Sequence, residues 1–95
     1  MVVAVCRISL HLHGVSSLKE KRQLLKKIIE RTKNRFNVSA AEVGSNDMWQ
    51  KGEVGLSVIG NDASFVNSVM DTIINYIEDM HLAEIIESDL EVITL

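Results

Sequence analysis

"VVAVCRISLHLH", residues Val2–His13, decides the fold. Val2, Ala4, Cys6, Ile8, Leu10 and Leu12 occupy every even position, while Arg7, Ser9, His11 and His13 fall on odd ones. Residues two apart share a face on a strand but not on a helix, so this alternation requires a strand with one buried surface. Arg7 interrupts the stretch as a signal segment and no small-residue cleavage pattern follows. No run nears the roughly 18 uninterrupted apolar residues of a membrane span. A cytoplasmic protein with no membrane partner is therefore expected. Cys6 is the only cysteine and lies on the apolar parity, so it reads as a small buried hydrophobe and not as a reactive thiol.

Working outward, Gly14 ends the strand, and Ser17 with Glu20 three residues later forms a capping box that opens a helix. Leu18, Leu24, Leu25, Ile28, Ile29, Thr32 and Phe36 recur at helical spacing, which carries the helix to about Arg35. Val38, Ala40 and Val43 predict a second strand whose parity breaks at Ala40 and Ala41, where a bulge or an edge position is expected. "GSND" (44–47) is a turn by composition. A third strand covers Trp49 to Ile59, with Val54, Leu56 and Val58 on one face, and forms a hairpin with the second. "GNDAS" (60–64) stops it and caps a second helix, in which Phe65, Val66, Val69, Met70, Ile73, Ile74, Ile77 and Met80 repeat at helical spacing. Ile86, Ser88, Leu90 and Val92 then alternate with Glu87, Asp89 and Glu91 as a fourth strand.

The order is βαββαβ. Right-handed crossovers place both helices on one face of a four-stranded antiparallel sheet, with strands one and three central and the other face open. In this α+β arrangement Arg7 is expected opposite Asp89 or Glu91, and His11 opposite Glu87. With 95 residues, 46% apolar and 24% charged, the chain reads as a single domain over 1–95 without linker or low-complexity tail.

"SLKEKR" at the helix start, "RFNVS", "AEVG" and "WQ" before the third strand, in this order and spacing, resemble the small bacterial YlxP-like proteins over essentially the whole chain. Lys51 and Gly52 stand where that pattern would have arginine and alanine. The resemblance implies a ferredoxin-like fold, no established biochemical activity, and genes often found beside those for translation and ribosome maturation.

Charge is distributed unevenly. Between Ser16 and Asn37 eight cations face two anions, a local +6, whereas the remainder carries −9 in a chain of net −3. Lys19, Arg22, Lys26 and Lys33 align as one stripe beside the apolar face of the first helix, the footprint of a surface that meets phosphates. The alternative is neutralisation within the molecule by Asp71, Glu78, Asp79 and Glu84. Gly14, Ser16, Ser17, Lys19 and Arg22 make the helix start a candidate anion site, because cations in the first turns oppose the helix dipole unless an anion offsets them.

Trp49, with Lys51 behind it, either stacks on a base or packs over the sheet edge. The open face offers Arg7, Ser9, His11, Ser57 and Ile59, too few aromatics for base stacking, so RNA would be gripped by its backbone with little sequence preference. No sequence-specific DNA recognition is expected. His11 and His13 share a face, but no dense Cys/His cluster accompanies them, so no metal or other cofactor is expected. No nucleophile has a positioned base. An acylphosphatase-like activity on the same topology is disfavoured, because the loop is poor in glycine and Arg22 comes a turn late. A non-enzymatic module is expected, bound to RNA or the ribosome through the basic helix. The alternative is a protein-interaction module or homodimer using the open face, with Val3, Val5 and Ile59, and the free edge strands.

Overall fold

The alternation of Val2–His13 becomes the central strand of the sheet. In the computed structural model, which describes residues 1–45 and 47–95, the elements are β1 (Val2–His11), α1 (Leu18–Arg35), β2 (Ser39–Gly44), β3 (Lys51–Gly60), α2 (Ala63–Asp79) and β4 (Glu84–Thr94). The antiparallel strands lie in the order β2-β3-β1-β4, so β1 bonds to β3 on one side and β4 on the other. This is the expected ferredoxin-like α+β fold. The expected turn over 44–47 includes Asn46, which lies outside the described residues.

The even residues of β1 face the helices, and Ala4, Ile8 and Leu10 have no exposed surface. Val54, Leu56 and Val58 of β3 continue that layer, with Leu25 and Ile28 of α1 and Val66, Met70, Ile73 and Ile77 of α2 closing it. Each such side chain contributes roughly 1.5–3 kcal/mol by leaving water. A Cβ at Gly52 would stand 3.0 Å from Leu25 Cδ2, so the missing side chain lets α1 sit close on β3. Thr32 is buried on the same helix face, and its hydroxyl donates to the Ile28 carbonyl at 2.8 Å.

Three expectations change in detail. β2 is an edge strand as expected, but its register shifts between Glu42 and Gly44, so the bulge falls at Val43 and not at Ala40 and Ala41. β3 begins at Lys51, leaving Trp49 and Gln50 in the connection, although the Leu12 N–H still donates to the Gln50 carbonyl at 2.8 Å. Arg7 opposes Asp89 and Ser9 opposes Glu87, a register that by itself would set His11 against Ile85, and a shift between Ser9 and Leu10 carries it one residue further, to Glu84 and not the expected Glu87. One extra residue in β4 moves every later partner, which simple alternation could not reveal.

α2 begins at Asp62, whose carboxylate accepts from the Phe65 N–H at 2.8 Å and the Ser64 hydroxyl at 3.0 Å. The Phe65 bond holds the carboxyl below its ordinary range, with the Ser64 hydroxyl adding to the effect. A depressed acid contributes stability above its unfolded value of 3.8, and that contribution is lost as pH falls through the folded value. Asp62→Ala is expected to lower the melting temperature at pH 7, and the gap from the parent should shrink at pH 2. A gap that stayed constant across thermal scans would refute the charged cap.

Candidate nucleic-acid interface

Helix α1 carries the candidate residues on its flanks because its buried face is fixed by the interval Lys21, Leu25, Ile28, Thr32. Lys21 stands on that face with 1% of its surface exposed. Its ammonium donates to the Met48 carbonyl at 2.7 Å and to the Ser45 carbonyl, and it lies 3.7 Å from Glu42 Oε2. A buried lysine needs both hydrogen bonds and counter-charge to offset lost hydration. Two carbonyls and a carboxylate supply them here. The bonds tie α1 to the connection between β2 and β3, so Met48 and Trp49 are held within one side chain's reach of the first turns of the helix. Sequence reasoning counted Lys21 as one more surface cation. The signal was available, because the alternating three- and four-residue spacing of buried positions passes through it.

The other seven cations of α1, Lys19, Arg22, Lys26, Lys27, Arg31, Lys33 and Arg35, are exposed. Arg35 lies 5.9 Å from the Tyr76 ring of α2, and that ring meets Phe36 edge-on at 5.3 Å, so the Lys27, Arg31, Arg35 flank is the one nearer α2. Lys19, Arg22, Lys26 and Lys33 therefore occupy the other flank, facing the β2 edge and solvent. Only Lys26 has a carboxylate within 4.0 Å, that of Glu30 on its own helix, and at 74% and 60% side-chain exposure this pair is worth little. Among the described residues no acid of α2 or β4 pairs with an α1 cation.

At the helix start, Ser17 Oγ accepts from the Glu20 N–H at 3.1 Å. The Glu20 carboxylate in turn accepts from the Ser16 N–H at 3.0 Å and from the Ser16 hydroxyl at 3.2 Å. Within the candidate anion site the Ser16 amide and hydroxyl are thus engaged by the chain's own carboxylate, and the Ser17 hydroxyl by the Glu20 N–H. Gly14, at φ +75°, makes the turn that precedes them. Lys19 and Arg22 are exposed beside this cap, with no ion pair among the described residues.

Trp49 is 51% exposed, with Met48 similarly open, at the tip of the hairpin. Lys51 pairs with His11 on the uncovered face, across the sheet from α1, so it stands apart from the basic flank. That face holds a shallow concavity of about 730 Å³ between Arg7, Val43, Ser57 and Glu91, floored by Gly55. A Cβ at Gly55 would lie 2.9 Å from Val43 Cγ1. Ile59, Val3 and Ile93 form an apolar row across three strands at one end of the same face.

Cys6 is buried, and burial pushes its thiol above the ordinary value, with Asp89 adding to the shift. A thiol held protonated is a poor nucleophile. His13 meets Glu84 at 3.0 Å in the open, and among the described residues no group of three His, Cys, Asp or Glu side chains is placed to hold a metal. Among the described residues no helix is long and apolar enough to cross a membrane.

A family model described as "Protein of unknown function (DUF503)" matches residues 3–90. The "Uncharacterized protein YlxP" of Bacillus subtilis (strain 168) is 33% identical over 67 residues, covering 70% of this chain and 73% of that protein. Among solved structures, the backbone is similar to "Structural Genomics, protein YJCS" (TM-score 0.54, 14% identity, 97% of this chain and 99% of that one). It is also similar to "De novo designed protein Foldit4" (TM-score 0.52, 18% identity, 99% and 97%). At such identities the likeness concerns the fold alone.

Lys21→Met keeps the stem and removes the ammonium, leaving the Ser45 and Met48 carbonyls without their donor. A loss of about 1–3 kcal/mol is expected by urea titration, with faster amide exchange at Met48 and Trp49. Unchanged stability together with unchanged exchange would show that the ammonium does not hold the hairpin.

Proposed function

We propose that this chain, which belongs to the DUF503 family of proteins of unknown function, is a non-catalytic cytoplasmic module that holds RNA, free or in the ribosome, along the outer flank of α1. The observation that carries this reading is the exposed charge of Lys19, Arg22, Lys26 and Lys33, none of which, among the described residues, pairs within 4.0 Å with an acid of another element. An ammonium or guanidinium stripe on a rigid helix meets successive phosphates without reading bases, and bound counterions are released as it does so. Trp49, next in sequence to the Met48 carbonyl that Lys21 holds, offers an exposed stacking surface at the hairpin tip. The gene neighbourhood implied by the family resemblance agrees with such a role.

A second reading is self-association through the uncovered face, favoured by the apolar row of exposed Ile59 and Ile93 on either side of half-buried Val3. A two-fold pairing of that face would cover the row and the concavity together.

Reversal of the stripe tests the first reading. K19E/R22E/K26E/K33E is expected to abolish RNA retention while leaving the elution volume on gel filtration unchanged. For the parent, log affinity should fall with log salt by about 0.7–0.9 per phosphate contacted. Retention equal to the parent's would refute it. Sedimentation of the parent at high micromolar concentration tests the second, and a monomer there would overturn it.

A further inference from the structure

β4 is eleven residues long and bonds only to β1, so its outer edge presents a row of backbone N–H and C=O groups that no strand of the described chain takes up. Natural sheets blunt such edges with short strands, lysine, proline or bulges. From Glu87 to Thr94 β4 has no proline, no lysine and no register shift. What it has is two distinct rows. Glu87, Asp89 and Glu91 line the uncovered face, opposite Ser9, Arg7 and Val5, and no cation lies within 4.0 Å of any of them among the described residues. Leu90 and Val92 line the helix side but remain 40% and 38% exposed, because the helices bury the neighbouring β1 residues and leave this row open.

A second copy of β4 fits this edge poorly in the register that overlaps the acidic row most fully. Antiparallel pairing about a two-fold axis through Asp89 sets Glu87 against Glu91 and Asp89 against itself, all on one face, and like charges directly opposite repel. β2 of a second copy, "SAAEVG" (39–44), brings an acid and no cation.

We propose that the β4 edge receives an extended segment of another protein as a fifth strand, one whose alternate residues are lysine or arginine and whose remaining residues are apolar. On such a strand the cations stand beside Glu87, Asp89 and Glu91 and the apolar residues beside Leu90 and Val92, while its main chain takes up the free edge. The same acids repel a nucleic acid, so this edge and the α1 flank select partners of opposite charge.

The test uses a fluorescein-labelled ten-residue peptide of alternating Val and Lys, followed by anisotropy against the full chain. Binding is expected to weaken as salt rises and to fall at least tenfold in E87K/D89K/E91K, which should instead take the Val and Glu counterpart. A Val and Lys peptide N-methylated at every second residue keeps its charge and loses the N–H groups of one edge. It should bind at least tenfold more weakly than the parent peptide. Equal binding of the methylated and unmethylated peptides, or of the Lys and Glu peptides to the unaltered chain, overturns the proposal. Circular dichroism of the reversed variant confirms that it folds, and Asp89→Lys alone, expected to weaken Val and Lys binding in the same direction, replaces it if it does not.

Discussion

The structure depends on one strand that must satisfy two neighbours and one core at once. β1 bonds along its whole length to β3 and to β4, and its even side chains belong to the single core that both helices close. Because side chains alternate along a strand, shifting either ladder by one residue would carry Ala4, Ile8 and Leu10 into solvent and Arg7 into the core. Burial of the even row therefore fixes the register of the long central pairs. The two shifts that occur lie elsewhere, at the end of the β1–β4 ladder and at the outer β2 strand, where one extra residue displaces no core side chain.

This division of faces also separates the charges. α1 lies toward the β2 side and exposes cations, while β4, at the far side of the sheet, exposes Glu87, Asp89 and Glu91. Helices on one face cannot bring the two sets together, because β3 and β1 stand between them. A net charge of −3 thus conceals a molecule with a positive and a negative side. The proposed RNA contact and the proposed strand addition draw on those two sides separately.

Periodicity made the element order and the sheet topology legible, because each element buries one face and the burial is written in steps of two or three to four residues. The same logic narrowed the partner of Arg7 to Asp89 or Glu91, and the register selects Asp89. His11 was misplaced because Glu87 belongs to the register that sets Arg7 against Glu91, and because the shift before Leu10 has no signature in alternation, since Ile85 and Ile86 are equally apolar and either can turn inward. Capping chemistry was legible at Ser17 and Glu20, but the engagement of Glu20 with Ser16 was not, because it depends on how the chain enters the helix. Lys21 was hidden for a different reason. Its type matches the exposed cations around it, and only the spacing of the buried positions marks it as an interior residue.

That interior ammonium binds a helix to the connection of a hairpin lying 24 and 27 positions further along the chain. The tip of the hairpin is mostly exposed, and taken alone it would fray as surface loops do. Anchored by a charge that has left water, it can loosen only if the amine and both carbonyls are rehydrated together, under a helix still packed against Gly52 through Leu25. Opening of the tip and undocking of the first turns are thereby merged into one cooperative event, and the surface built from both keeps its shape up to the free energy of that larger unit.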